Sequence, residues 1–318
     1  MATTVIIGRH DDPHTLAVIS ELQKLEQNVK CIDSFRGDHV HLHISSGQYG
    51  NATCKLVDSF GSDIKSIWLR QKPVIPYPSW SPLQHDSARF AQAEWRSVLQ
   101  SLESFLPKVF WINSPERQQL INQKPKQLEL AKSVGFNIPE TIITNDPDAV
   151  KAFIDVNKKV IYKALAGFVF IDQTAILTTI ITNRDLKNPE SVKKAPGIYQ
   201  KFIEKKFEAR ITAVGNRLFV THILTPKKGP GSVDWRHAHF EDIFVEGFID
   251  TSIRTCIERF QRAANLHYGA YDFIISPEGE WHFLECNPVG QFLWMENKLG
   301  QKISTAIAED LVNCNSTF

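Results

Sequence analysis

The chain has 318 residues, 42% apolar and 22% charged, which is close to the globular average and excludes a disordered tail, a collagen-like rod or a coiled coil. At a soft scale of about 150 residues per domain it holds roughly two domains' worth of chain. Lys plus Arg number 36 against 35 Asp plus Glu, so the net charge of +1 provides no global field for nucleic acid or anionic lipid, and any charged partner must meet a local patch. The cysteines Cys31, Cys54, Cys256, Cys286 and Cys314 are odd in number and contain no CxxC pair, which argues against a disulfide framework and a zinc knuckle and predicts reduced thiols in a cytoplasm. The apolar run Val5 to Ile7 is too short for a signal-peptide core, and no stretch has the length of a membrane span.

In chain order, a β-rich run at Val5 to Ile7, a helix over about Pro13 to Leu25 and a run near Val29 to Ile32 alternate as in an open α/β unit. The turn after the first run carries Arg9, His10, Asp11 and Asp12 and lacks GxGxxG, so a structural α/β lobe is predicted there rather than a dinucleotide site. Further β-like runs lie at Lys55 to Val57 and Ile64 to Leu69, and the proline-rich Pro73 to Pro82 reads as a loop. Helical spacing of Phe90, Ala93, Val98, Leu102 and Phe105 predicts a helix over about Asp86 to Leu106, and Val109 to Ile112 a buried strand closing the lobe.

A boundary is expected near Ser114, whose side chain is predicted to cap a helix with Pro115 at its first position and Glu116 in its first turn. The next helix, over about Lys124 to Val134, ends at Gly135, and a strand ends at Val160 to Lys163. From Ile198 onward strands dominate: a hairpin turns at Gly215-Asn216, a helix spans about Thr251 to Leu266, and two closing strands, YDFII and EWHFLEC, are joined by Ser276 to Gly279. The expected units are residues 1–113, 114–197 and 198–318.

Three features carry chemistry. On the closing hairpin, Asp272 lies on one strand while Glu285 and Asn287 alternate on the next, so three oxygen donors can converge on one face. Phe273, Ile275, Phe283 and Cys286 are expected to bury the opposite face, and the alternative is a solvated face with ordinary charges. Magnesium takes carboxylate and amide oxygens together with nucleotide phosphates, and this donor set suits it. Lys124 at a helix start and Lys163 at a strand end, followed by ALAGF, can neutralise a polyphosphate, although each alone is an ordinary surface charge. In the third feature, Gln200, Lys201, Phe202 and Ile203 offer backbone groups for an adenine edge, and Glu208 an acceptor for ribose hydroxyls. Arg210 shares the strand face of Glu208 and can stabilise developing negative charge; otherwise these two form an edge-strand charge pair.

The order of these parts resembles the ATP-grasp superfamily, and specifically the microviridin-type graspetide synthetases, over almost the whole chain. FLECNPVGQFLWME (Phe283 to Glu296) looks like that family's signature ending, and NQKPKQLELAKSVGFNIPETIIT resembles the superfamily's entry segment. Ile67-Trp68-Leu69-Arg70 and Val233-Asp234-Trp235-Arg236 resemble family-specific pieces outside the nucleotide machinery. Gln71 stands where many members repeat an arginine, and Val289 replaces the second asparagine of the superfamily's NPNG. The resemblance implies a mixed α/β (α+β) fold with an N-terminal open α/β pre-ATP-grasp lobe, followed by two subdomains holding the nucleotide between antiparallel sheets.

It further implies an ATP- and Mg2+-dependent ligase. Lys124, Lys163, Gln200, Lys201, Phe202, Ile203, Glu208 and Asn287 would serve the nucleotide, Asp272, Glu285 and Asn287 the metal, and Arg210 with Lys163 catalysis. The implied activity converts Asp or Glu side chains of a ribosomal precursor peptide into acyl phosphates and closes ω-ester or ω-amide rings. Its alternatives are an intermolecular amino-acid or peptide ligase of the superfamily and a catalytically idle peptide-binding protein. The expected partner is a precursor peptide with a leader segment, held by a groove at Thr178 to Ala195, with Asp185, Glu190, Lys193 and Lys194, or by the loop Pro226 to Gly231. A cytoplasmic homodimer is expected, with neither nucleic acid nor membrane as partner. Two weaker patterns, His39/His41/His43 and His237/His239, have the alternation of metal sites without a carboxylate partner.

Overall fold

The first third of the chain holds β1 (Thr3–Ile7), α1 (Pro13–Lys24), β2 (Asn28–Ile32), β3 (Val40–Ile44), β4 (Ala52–Leu56), β5 (Ser59–Phe60), β6 (Ile64–Leu69), α2 (Pro82–Phe105) and β7 (Phe110–Ile112). The computed structural model describes residues 2–33, 38–44, 52–56, 59–70, 82–166, 178–224 and 243–314. Strands β2-β1-β6-β7 form a parallel sheet in that order, and β3-β4-β5 a small antiparallel one. Every residue of β1 is buried, as a central parallel strand covered on both faces requires. Asp12 caps α1 by accepting from the His14 amide, and Pro13 fits the first turn because it has no amide hydrogen to satisfy. The span from Pro73 to Ser81 lies outside the described residues; Pro82 itself opens α2.

The middle of the chain supplies α3 (Pro115–Ile121), α4 (Lys124–Ser133), β8 (Thr141–Thr144), α5 (Pro147–Asn157), β9 (Val160–Lys163), β10 (Thr179–Ile181), α6 (Pro189–Lys193) and β11 (Gly197–Lys201). Its antiparallel sheet runs β10-β9-β11-β8. Ser114 is the first boundary residue of α3, but its side chain makes no capping bond and its Oγ is buried without a hydrogen-bond partner. The expected cap is thus positional only: Pro115 removes one amide that would otherwise need an acceptor. Helix α4 ends as expected, with Gly135 at φ +104° and the Phe136 amide donating back to Ala131.

The remainder is β12 (Phe207–Val214), β13 (Arg217–Ile223), β14 (Phe244–Glu246), α7 (Thr251–Ala264), β15 (Tyr268–Ile275), β16 (Trp281–Asn287), α8 (Leu293–Leu299) and α9 (Ile303–Asn313). Here the antiparallel order is β14-β13-β12-β15-β16. Helix α7 stops two residues before its apolar spacing does, because Asn265 takes a left-handed conformation (φ +50°) and the Leu266 amide donates to Gln261. One core packs α4 and α7 against β12, β15 and β16 through Phe136, Phe260, Phe273 and Phe283, with Phe136 stacked on Phe283 at 5.0 Å. A second joins the lobes: Val18, Leu22, Trp68 and Ile112 meet Phe292, Met295, Ile303, Ile307 and Leu311.

Two polar devices fasten this frame. The buried Gln127 side chain on α4 acts as an extra strand along the edge of β16, donating to the Cys286 carbonyl (2.8 Å) and accepting from the Cys286 amide (2.9 Å); it also donates to Ile121 O (2.7 Å). On α9, buried Asp310 accepts from His267 (2.7 Å) and Arg217 (2.6 Å), tying that helix to β13 and to the start of β15. Burial alone would raise the Asp310 carboxyl, but His267 and Arg217 outweigh it and hold the carboxyl below its ordinary value.

Replacing Gln127 by Ala leaves the Cys286 amide and carbonyl buried without partners, so Gln127→Ala should lower unfolding free energy by about 3 kcal/mol in urea titration. Asp310→Asn should cost about 2 kcal/mol at neutral pH. Because the folded carboxyl is depressed, its contribution is present above the unfolded value of about 3.9 and is lost as pH falls through the folded one. The two unfolding curves should therefore converge in acid.

Candidate active site

Asp272 on β15 stands opposite Glu285 on β16, and Ala270 opposite Asn287, so Asp272, Glu285 and Asn287 share one sheet face. That outcome depends on an irregularity. Phe273 pairs with Phe283, leaving Leu284 as an extra residue between the Phe283 and Glu285 pairs. Phe283 and Cys286 both lie in the aromatic core although they are three positions apart, an odd offset that strict alternation forbids. Simple alternation from Phe283 would turn Glu285 into that core; the bulge reverses the face and brings the carboxylate out beside Asp272. Burial raises the Cys286 thiol far above its ordinary range, as expected of a core thiol rather than a nucleophile.

Across β12, Arg210 pairs with Asp272 in register, and its Nε lies 2.6 Å from the Asp272 carboxylate. Strand β12 is the middle strand of five, which overturns the edge-strand alternative. Glu208, two residues back on the same face, is paired at 2.6 Å with Lys205, and both side chains are nearly buried. Lys205 escaped the sequence analysis, although its spacing of three from Glu208 could have flagged it.

The second antiparallel sheet supplies the opposite wall. Val160, Tyr162 and Tyr199 face α5, which leaves Ile161, Lys163 and Gln200 on the other face, with Ile161 opposite Gln200 in register. Lys163 Nζ donates to Gln200 Oε1 (2.9 Å), and Gln200 Nε2 donates to Thr141 Oγ1 (2.9 Å), so the ammonium is held in place by a chain of hydrogen bonds. Lys124, the first residue of α4, donates to Ala164 O (3.0 Å) and lies 3.9 Å from Glu285 Oε2. It bridges the end of β9 to β16.

Between the sheets is a cavity lined by Gln200 and Lys201 at the end of β11 and Phe202, Ile203 and Lys205 on the connector after it, with Pro139, Ile161 and Thr178 on one side and Ile274 and Leu284 on the other. Apolar side chains above and below with backbone groups at the rim suit a flat, polar-edged ring. Ile161 and Ile274 went unnoticed in the sequence, yet each is two residues from a residue already singled out, Lys163 and Asp272, on the same strand face. Leu284 could not be found so, because it is the bulged residue.

Other expectations fare differently. His41 and His43 share a face of β3 with ring centroids 6.5 Å apart, and among the described residues no group of three His, Cys, Asp or Glu side chains gathers to hold a metal. In the Thr178 to Ala195 segment, Asp185 accepts from Thr182 and Glu190 pairs with Lys193 at 2.8 Å, so these charges already have local partners. Gly167, Phe168, Gln71, the loop Pro226 to Gly231, Val233 to Arg236, His237 and His239 lie outside the described residues.

No protein-family profile matches the chain, and no curated protein does. Among solved structures, the chain is similar to a RiPP-associated ATP-grasp ligase of Chryseobacterium gregarium in complex with ADP and a leader and core peptide. The TM-score is 0.83 and the identity 24%, over 99% of this chain and 98% of that one. It is similar to macrocyclase MdnC bound with precursor peptide MdnA, from Microcystis aeruginosa MRC, at TM-score 0.79 and 27% identity over 98% and 100% of the two chains. The ATP-grasp ligase PsnB, complexed with minimal precursor, Mg and ADP, gives TM-score 0.73 and 21% identity over 99% and 97%. With its cavity between two antiparallel sheets and this likeness along its whole length, the chain has the ATP-grasp fold in the form taken by the RiPP-associated ligases.

Proposed function

We propose that the chain is an ATP-dependent ligase that activates Asp or Glu side chains of a ribosomal precursor peptide as acyl phosphates and closes ω-ester or ω-amide macrocycles. The observation that carries this reading is the cleft itself: Lys163 stands on one wall, Asp272, Glu285 and Arg210 on the other, Lys124 bridges the two, and an apolar cavity continues from them. Solved structures similar to it include ligases in complex with precursor peptide, ADP and Mg.

Two carboxylates and an amide on one face match the donor set magnesium uses when phosphate oxygens complete its shell. Asp272, Glu285 and Asn287 would hold the ion, which when bound neutralises phosphate charge and so assists transfer of the γ-phosphoryl group. Phe202, Ile203 and the aliphatic lining hold the adenine, Gln200 and Lys201 offer it polar edges, and Glu208 accepts from the ribose. Lys124 and Lys163 neutralise the phosphates from fixed positions. A carboxylate is a poor acyl donor because oxide is a poor leaving group, and phosphorylation corrects this. Attack by a Ser, Thr or Lys side chain of the same peptide then places negative charge on the former carbonyl oxygen, where Arg210 stabilises it. Collapse breaks the bond from acyl carbon to phosphate oxygen, and inorganic phosphate departs with the nucleophile's proton.

We assign residues 1–113 to the pre-ATP-grasp lobe, 114–197 to the central subdomain and 198–318 to the C-terminal one. The chain works as a homodimer, as the family resemblance suggests, in a reducing cytoplasm, which its free cysteines suit.

Incubated with ATP, Mg2+ and its precursor, the protein should form ADP and lower the peptide mass by one water per ring. Arg210→Ala should reduce kcat about 100-fold, and Glu285→Gln should abolish ADP formation. A gain of peptide mass would instead identify an intermolecular ligase. Unchanged peptide, with equal background ADP from wild type and Glu285→Gln, would identify a peptide-binding protein without catalysis.

A further inference from the structure

The parallel sheet of the first lobe ends against the turn that follows β16. Arg70 comes directly after β6 and Asn113 directly after β7, and both are buried. Arg70 Nη1 donates to the carbonyls of Val289 and Gly290, and Asn113 Nδ2 donates to Pro288 O (3.0 Å) and Tyr268 O (2.8 Å). The Tyr268 hydroxyl adds a second donor to Gly290 O, at 2.8 Å. Three consecutive carbonyls of one turn thus accept from buried side chains, two of which belong to the first lobe. Arg70 is fixed in its turn by Asp12, whose Oδ2 accepts from Nε at 3.0 Å while its Oδ1 caps α1. Only a guanidinium can direct Nε to a carboxylate on one side and Nη1 to carbonyls on the other.

This turn is where the two groups that matter most meet. It begins at Asn287, whose Oδ1 accepts from the Val289 amide (3.0 Å) and whose carbonyl accepts from Gly290 (3.2 Å), so the amide oxygen takes its direction from the turn. It ends at Gly290, packed so closely that a Cβ there would lie 2.4 Å from Ala270 Cβ and 3.2 Å from Arg210 Nη1. Movement of the Val289 and Gly290 carbonyls would carry Asn287 with it and open the contact with Arg210.

We propose that Arg70 is a positioning residue, which acts from the first lobe through the Pro288–Gly290 turn to set the metal-facing direction of Asn287. This rests on the functional reading above, in which Asn287 is a metal donor. Residues that orient a ligand from outside the coordination shell change metal affinity by roughly 10–100-fold when removed. A residue that merely glued the lobes would alter stability and leave the metal-dependent part of binding untouched.

The test titrates ADP into the full chain by calorimetry, with and without Mg2+, so that the ratio of the two affinities reports the metal alone. Arg70→Met and Arg70→Lys should both lose about tenfold or more of that ratio, with the metal-free ADP affinity unchanged. Tyr268→Phe removes only a hydroxyl from the same carbonyl and should show a smaller loss in the same direction; it carries the test should the Arg70 variants fail to fold. An unchanged ratio in folded variants, or equal weakening with and without Mg2+, overturns the inference. Wild type that takes up ADP without any effect of Mg2+ overturns the metal reading first, and this inference with it.

Discussion

Asp272 and Glu285 stand opposite one another on neighbouring strands, and like charges so placed destabilise a sheet unless cations neutralise them. Here each carboxylate has a cation at hand: Arg210 beside Asp272 from the central strand, and Lys124 beside Glu285 from the start of α4. The rest of the architecture can be seen as what holds that quartet. Helix α4 is pinned to β16 by Gln127, which fixes Lys124 relative to Glu285, and the aromatic core beneath keeps β12, β15 and β16 in register. Such a cluster is a poor way to stabilise a fold, since the largely buried Arg210–Asp272 pair must offset its desolvation and the more exposed Lys124–Glu285 pair contributes little. It does keep two carboxylates near one point, as the proposed divalent-ion site requires.

Much of this was legible in the chain because the relevant side chains obey simple periods. Alternation on β12 puts Glu208 and Arg210 on one face, and the order of Lys124, Lys163, Arg210, Asp272 and Glu285 along the sequence is that of the elements that build the cleft. What alternation could not show is the bulge at Leu284. From the string FLECN, either Phe283 with Glu285 or Cys286 alone could face the core, and only pairing to Phe273 and Asp272 decides. Ser114 failed for a different reason: residue type favours a capping bond, but the local geometry left its hydroxyl without one. Contacts between distant segments, such as Arg70 to Val289, carry no local signal at all.

Net charge conceals the chemistry in the same way. A chain balanced at +1 gives no reason to expect a polyphosphate partner, yet around the cleft Lys124, Lys163, Lys201, Lys205 and Arg210 outnumber Asp272, Glu285 and Glu208. The excess is local because it comes from separate elements that the fold gathers. Strand β9 contributes one lysine, α4 another, the end of β11 a third and the β11–β12 connector a fourth. Charge counted over the sequence averages away what the sheets bring together.

The same gathering gives the first lobe a part in the site that its own sequence does not announce. In open α/β sheets the functional crevice lies beyond the carboxyl ends of the strands. In this chain the ends of β6 and β7, at Arg70 and Asn113, close on a turn of the neighbouring sheet, with Asp12 holding Arg70 from behind. In the turn after β1, Asp12 is engaged with both Arg70 and the amide of His14. A shift of α1 against its sheet would therefore be transmitted through Asp12 and Arg70 to the turn that touches Asn287 and Arg210. The close packing of α1 on α9, through Val18, Leu22, Ile307 and Leu311 in one buried core, opposes such a shift.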